Sequence, residues 1–457
     1  MRLLLVFSIQ YSVFSFTLEA AEPLPLSKDY WQDEAFLKSF NGSYRINARI
    51  EPSVTSEERG LLVSIQAMMA AGEREAALAK LTASELIKSS AAIAFNAGNI
   101  EFELGNLENA QNHYLAALKI FPSFRRAHRN LGFVFVRQDD WQKAIPPLEQ
   151  AISLGDQDAA TFGQLAYGRM HHEQYASALQ AFRLAQLTQP KVIAWKAGTA
   201  QCLQHLQRHQ EALALLDEVI AAHPAEASYY LLQASIFLSM ERPDDAIANL
   251  DLLRRAGEGK LDAENHLLLA NLHLRAGSSD LARPLMMAAL RMEPKASFSA
   301  VINVLEFATK TRDWSLARDF AHEVQKTYPD VVDAELKHKQ YRLSALIDLD
   351  SGDNPSRGAK ALEELIKRDP LDAQSLILLA RYRAGEKRYQ EAEMLLEQAK
   401  RIEGHEYVSH VELAKIDVAS KRYRDAIAEL DKALKIRPSD AIRDYRDAVA
   451  RLASAAE

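Results

Sequence analysis

With 457 residues, 48% of them hydrophobic and 26% charged, the chain exceeds the roughly 250–300 residues at which one hydrophobic core stops growing, so it is either several domains or an array of repeats. The formal charge of −7 excludes a broadly basic nucleic-acid-binding surface, and 8% aromatic residues beside abundant alanine favour packed helices over sheets. Cys202 is the only cysteine, so no intramolecular disulfide forms and packing alone must hold the fold.

Residues 1–20 read as an export signal. Arg2 precedes the apolar run Leu3 to Phe16, and Leu18-Glu19-Ala20-Ala21 offers small residues for cleavage after Ala20 or Ala21. Ser8, Gln10, Ser12 and Ser15 interrupt the run, which is shorter than the ~20 residues of a spanning helix. No cysteine follows it for lipid attachment, and no later segment is apolar enough to span. The expected mature chain is soluble and periplasmic or secreted.

Residues 21–56 carry Tyr30, Trp31, Phe36, Phe40 and Tyr44 without any internal period. They form either a cap on the first helical hairpin or an arm that binds a partner, and sequence does not separate the two. The stretch ends in Thr55-Ser56-Glu57-Glu58, a capping box that opens a helix.

From residue 57 to 440 the chain repeats. Ala76, Ala110, Ala144, Ala178, Ala212 and Ala246 stand 34 apart; Ala282 and Ala317 follow with small insertions, and Ala392 and Ala426 resume the step. A second series in register is Gly98, Gly132, Ala166, Ala200, Ala234, Ala270, Ala380 and Ala414, and a third is Ala117, Ala151, Ala185, Ala289, Ala399 and Ala433. Small residues 12 apart, one per helix of a pair, let antiparallel helices approach closely. Tyr114, Leu148, Phe182, Leu216, Leu250, Leu396 and Leu430, four residues after the second small site, fill the space between hairpins. Pro122, Pro190, Pro224, Pro294, Pro329, Pro370 and Pro438 close the repeats. An aromatic residue often marks the hairpin turn, as at Trp141, Tyr175, Trp314, Tyr389 and Tyr423.

This pattern resembles the tetratricopeptide repeat family over most of the chain. The resemblance implies an all-α, right-handed superhelical solenoid of about eleven hairpins. Repeats start near Glu57, Ala91, Arg125, Ala159, Ile193, Ala227, Ala263, Phe298, Val332, Ala373 and Tyr407, and residues 441–457 form a capping helix. The ninth repeat is irregular: Ser351-Gly352-Asp353-Asn354-Pro355 enlarges its turn and Gly358 replaces the usual alanine, so the solenoid is expected to bend or loosen at 332–372.

Such arrays bind proteins in a concave groove lined by first helices. In the family register the early groove positions are Phe95, Asn99, Phe102, Arg126, Arg129, Asn130, Phe133, Arg137, Tyr167 and His171. Aromatic rings supply rigid contact area and arginines grip carboxylates, so the expected ligand is a protein or extended peptide with an acidic or C-terminal carboxylate. Asn99 with Asn130 is similar to the paired asparagines of the family's carboxylate clamp, but Phe95, Ala160 and Gln164 stand where that clamp has basic groups.

No catalytic constellation appears. His405 and His410 diverge on a helix, and His205 and His209 flank a hairpin turn. Gly257-Glu258-Gly259-Lys260 lacks the length of a phosphate loop, and Cys202 lies among apolar neighbours as an inert thiol. No enzyme, cofactor or metal is expected. Asp29-Tyr30-Trp31, Phe40, Gly42-Ser43-Tyr44 and Glu51-Pro52 resemble the segment before the repeats in exported bacterial tetratricopeptide proteins described as components of a TonB-type energy-transduction system. The expectation is an exported interaction scaffold with TonB-system partners. The alternatives are a scaffold for envelope assembly or polysaccharide export, or a cytoplasmic co-chaperone if the N-terminus is not a signal.

Overall fold

In a chain without disulfides, helices must be stopped, turned and packed by local chemistry, and the computed structural model shows how. It describes Trp31, Phe36, residues 49–256 and residues 261–456. The expected signal, Tyr30, Phe40, Tyr44 and the Gly257–Lys260 string lie outside the described residues. Apart from Trp31 and Phe36, the described residues form 23 α-helices and one 3-10 turn (Glu85–Lys88), and no strand occurs among them. The chain divides into two units between Asn249 and Leu250.

The first unit contains α1 (Ser56–Ala70), α2 (Arg74–Thr82), α3 (Ala91–Glu103), α4 (Leu107–Ile120), α5 (Arg125–Arg137) and α6 (Trp141–Ser153). It continues with α7 (Ala159–His171), α8 (Tyr175–Thr188), α9 (Ile193–His205), α10 (His209–Ala222), α11 (Ala227–Ser239) and the start of α12 (Pro243–Arg255). Thr55 opens α1 with a complete capping box: its hydroxyl accepts from the Glu58 amide while Glu58 accepts from the Thr55 amide. Ser90, Asp140 and Asp158 cap α3, α6 and α7 in the simpler way.

Small residues set the spacing within each pair. Ala110, Ala144, Ala178 and Ala212 are fully buried, as are Ala117, Ala151 and Ala185. A Cβ on Gly98 would lie 2.7 Å from the Tyr114 ring, and one on Gly132 would lie 2.5 Å from Leu148, so glycine is what lets the large residue of the second helix reach the backbone of the first. The first pair departs from the expected register: its buried small residue is Ala77, whereas Ala76 is exposed. The reason is the turn. Gly72 and Gly105 occupy equivalent left-handed turn positions (φ 81° and 83°) only 33 residues apart.

That turn position recurs without glycine. Asp139, Glu173, Gln207 and Glu241 in the first unit, and Arg312, Lys387 and Lys421 in the second, have φ between 57° and 61°. In the α5–α6 turn the Asp140 amide donates to the Phe135 carbonyl and Asp139 to Val136, which terminates the helix and reverses the chain.

The second unit holds the remainder of α12, then α13 (Ala263–Arg275), α14 (Ser279–Ala289), α15 (Phe298–Lys310), α16 (Trp314–Thr327), α17 (Ala334–Asp350) and α18 (Pro355–Arg368). It ends with α19 (Ala373–Gly385), α20 (Tyr389–Ala399), α21 (Glu406–Ala419), α22 (Tyr423–Ile436) and α23 (Asp440–Ala456). Helix α23 buries Ile442 and Val449 in a cluster with Val411, Ala414 and Leu430 of the last hairpin.

In the α17–α18 pair a Cβ on Gly358 would lie 2.7 Å from the Ala345 carbonyl oxygen and 2.9 Å from Leu349. Here the backbone itself fills the space that alanine takes elsewhere. Gly358→Ala restores the repeat's usual residue and a better helix former, worth about 1 kcal/mol. It also forces backbone apart, at about 1–3 kcal/mol. The expected outcome is a net loss of stability, read as a lower urea midpoint by circular dichroism.

Candidate protein-binding face

The first helices α3 and α5 lie side by side, and their residues build the strip expected from sequence. An amide chain ties its base together. Tyr114 Oη donates to Asn99 Oδ1 at 2.8 Å, Asn130 Nδ2 donates to the same oxygen at 3.0 Å, and Arg129 Nε donates to Asn130 Oδ1 at 3.1 Å. Both asparagines are buried, and these bonds use Asn99 Oδ1 and both ends of the Asn130 amide. Gln164, one repeat beyond Asn130 on α7, is also fully buried, and neither atom of its amide has a hydrogen-bond partner.

Arginines stack over the aromatic residues. Arg126 lies 5.2 Å from the Phe95 ring and 5.8 Å from Phe124, Arg129 lies 6.0 Å from Phe133, and Arg137 lies 4.6 Å from Phe102. Arg137 also donates to the Phe102 carbonyl at 3.0 Å, and burial lowers its pKa. Arg129 reaches Asp158 at 3.5 Å, which links α5 to the start of α7.

Part of the chain outside the repeat lies on this strip. Trp31 meets Phe102 and Phe133 edge-on, with ring centroids 6.2 and 6.1 Å away, and Phe36 lies 5.8 Å from Phe133. Glu51 bonds Arg126 Nε at 2.9 Å and approaches Arg125 at 3.6 Å. The Arg125 amide donates to the Ile50 carbonyl and Ser123 Oγ to the Arg49 carbonyl. Phe95, Asn99, Phe102, Arg126, Arg129, Asn130 and Phe133 are all buried, and Arg137 is exposed. Trp31, Phe36 and Glu51 are legible in the sequence as features of the N-terminal stretch; their docking on Arg126 and Phe133 is not, because no local spacing connects residues 75 positions apart.

The other two expected positions belong to a neighbouring cluster. Tyr167 is buried edge-on against Phe182 at 5.0 Å, and exposed His171 stacks on Trp141 at 4.4 Å. His205 stacks on Tyr175, and burial lowers its pKa. His410 pairs with Glu429. Cys202 is fully buried, and desolvation pushes its thiol up to about 12, well away from a nucleophile's range. Among the described residues no group of three or more His, Cys, Asp or Glu side chains is placed to hold a metal, and no helix is long and apolar enough to cross a membrane.

In the second unit, successive first helices are joined by ion pairs. Glu306 of α15 pairs with Lys339 of α17 at 2.6 Å, and Asp372, which caps α19, pairs with His338 at 2.7 Å and Arg342 at 2.9 Å. Glu412 of α21 takes Arg381 and Lys415, each at 2.8 Å. A cavity of about 210 Å³ beside this last group is lined by Ala380, Arg381, Tyr389, Glu412, Lys415 and Ile416.

Burial opposes the charge on all three carboxylates, but hydrogen bonds from Ser375 and His338 and the charge of Arg342 at Asp372, and the lysine and arginine partners of Glu306 and Glu412, more than offset it and hold each pKa below its ordinary value. Carboxylates with depressed folded values contribute stability that is present above the unfolded values near 4 and lost as the pH falls through the folded ones. Urea midpoints are therefore expected to drop between about pH 5 and pH 3. Asp372→Asn should be less stable at neutral pH and show a shallower acid dependence.

Family models agree with the repeat read from the helix pairs. Family models match at residues 98–139 (TPR repeat), at 231–297 and 343–404 (tetratricopeptide repeat), and at 383–452 (a further tetratricopeptide repeat model). No curated protein matches the chain. Among solved structures, a tetratricopeptide repeat protein from Parabacteroides merdae is 16% identical over 56% of this chain and 98% of its own, with a TM-score of 0.37. PilF of Pseudomonas aeruginosa is 18% identical over 48% and 97%, with a TM-score of 0.38. YrrB, described as a TPR protein with an unusual peptide-binding site, is 23% identical over 36% and 84%, with a TM-score of 0.35. With small residues repeating every 34 positions, antiparallel helix pairs built on them, and family models matching at four places along its length, the chain is a tetratricopeptide repeat protein.

Proposed function

We propose that this protein is an exported, non-enzymatic scaffold that binds a protein partner through the first-helix face of α3 and α5. Tetratricopeptide arrays are protein–protein interaction scaffolds. The observation that carries the reading is the chemistry of one strip: Phe102 and Phe133 beside Arg126 and Arg129, receiving aromatic rings and a carboxylate from a segment outside the repeat. Arginine and aromatic side chains dominate the energetics of protein interfaces. Export rests on Arg2, the apolar run to Phe16 and the small residues at Ala20-Ala21. The TonB-type setting rests on the resemblance of residues 29–52 alone, and envelope assembly, polysaccharide export and a cytoplasmic co-chaperone role remain as the outcomes that would replace it.

Affinity capture with the mature chain, from Ala21 onward, out of envelope extract of its own source separates these settings by the partners recovered. Once a partner is in hand, Arg126→Ala with Arg129→Ala is expected to weaken its binding at least tenfold while the helical circular dichroism signal is kept; unchanged affinity would remove this strip as the site. N-terminal sequencing of the natural protein is expected to begin at Ala21 or Glu22, and an intact Met1 or Arg2 would overturn export.

A further inference from the structure

We infer that the cavity lined by α19, α20 and α21 in the second unit is a further docking site, which takes a flat aromatic side chain of a protein partner against Tyr389 and a neighbouring carboxylate on Arg381 and Lys415. It is separate from the α3–α5 strip and does not depend on that strip being used.

Two earlier repeats show what the slot is shaped for. Trp141, Tyr175 and Tyr389 are the first residues of α6, α8 and α20, and the helices that follow, α7, α9 and α21, end at His171, His205 and Ala419. His171 stacks on Trp141 with the rings 4.4 Å apart and 15° from parallel, and His205 stacks on Tyr175 at 4.0 Å and 5°. The equivalent of those histidines beside Tyr389 is Ala419, which has no ring to offer, and Tyr389 and Ala419 both line the cavity. Its volume of about 210 Å³ exceeds the ~150 Å³ of an apolar cavity that accepts benzene. A planar side chain therefore fits where the other repeats place an imidazole, and stacked rings gain more than their buried area alone gives.

The walls are apolar and the polar groups are cationic. Ala380, Leu396 and Ile416 are buried, whereas Ala419 is exposed and opens the cavity to the surface. Arg381 and Lys415 line it as well, each 2.8 Å from Glu412. Their side chains are 50% and 38% exposed and that of Glu412 only 9%, so a ligand meets the cations before the anion. Asp350 of α17 interacts electrostatically with Arg381, but it does so with Arg312 too, and the balance of the group stays cationic. Arg381 bonds Glu412 through Nη2, and a guanidinium carries five N–H donors, enough to hold a second carboxylate at the same time. An anion beside a ring is the chemistry that complements this site, and complementary charge is what selects one partner over another.

The test uses the full mature protein and N-acetylphenylalanine, which joins a phenyl ring to a carboxylate, titrated by saturation-transfer difference NMR. Binding is expected with a Kd of about 1–10 mM, the range for a ligand of this size. Ala419→His rebuilds the stack of the earlier repeats, so it should fill the slot and weaken binding about tenfold or more, and Arg381→Gln should do the same by removing a charged donor. N-acetylphenylalaninamide, which lacks the carboxylate, and N-acetylleucine, which lacks the ring, should both bind wild type more weakly. Arg126→Ala with Arg129→Ala should leave the titration unchanged, which separates this site from the α3–α5 strip. Circular dichroism reports whether Ala419→His is folded; if it is not, Arg381→Gln, a change at a half-exposed side chain, decides. No binding by wild type, equal binding by wild type and the folded variants, or equal binding of the acid and its amide overturns the inference.

Discussion

Close approach of the two helices in each pair is the constraint on which the rest of the molecule depends. Alanine or glycine at the contact lets one backbone come near enough for a single large residue, Tyr114, Leu148 or Phe182, to be enclosed completely. Any larger side chain at the small site would open a gap or force a shift, and both are costly in an interior packed like a crystal. The Gly358–Ala345 contact carries the constraint furthest, because the nearest atom to an added Cβ there is a backbone oxygen. Because the requirement is one of size alone, it leaves the chemistry of the outward positions free to vary from pair to pair.

That freedom is visible in the two units. In the first, the outward positions of α3 and α5 are aromatic rings and arginines, and the stabilising contacts are cation–π stacks, a buried amide chain and one buried ion pair. In the second, the corresponding layer is a series of ion pairs at Glu306, Asp372 and Glu412. Charged pairs that satisfy each other within the chain leave less demand for a ligand than a surface of rings and arginines does. The first unit is where residues from outside the repeat, Trp31, Phe36 and Glu51, lie against such a surface.

How much of this was legible depended on the range of the interaction. The small-residue series made the helix pairs readable, and α3, α5, α7, α9, α11, α13, α15 and α19 begin at the residues where the repeats were expected to start. Periodicity is local information, and it failed where local spacing changed: Ala76 was taken for Ala77 because the first repeat is one residue short between equivalent turns. The left-handed turn residues were invisible for a different reason. Asp139, Glu173, Gln207 and Lys421 share a conformation but no chemistry, so nothing in their side chains announces it. Asn99 and Asn130 were readable as a pair, but not as a pair bonded to each other and to Tyr114, since direction belongs to the packed side chains.

The contact between Glu51 and Arg126 lay furthest from sequence reasoning and bears most on function. A buried arginine beside Phe95 and Phe124 gains from the faces of the rings but still needs an anion, because desolvating a guanidinium without one costs several kcal/mol. Glu51 supplies one at 2.9 Å, while Asp158, the acidic residue that starts α7, reaches Arg129. Arg126 thus meets the carboxylate of Glu51, from outside the repeat, in the middle of an aromatic strip against which Trp31 and Phe36 lie. A hairpin pair selected for stability alone would put an apolar residue at position 126, where an ion pair adds little net stability. Arginine there is matched by an anion and not by an apolar side chain, so the Glu51 contact fixes which residue lies on it more than it adds stability.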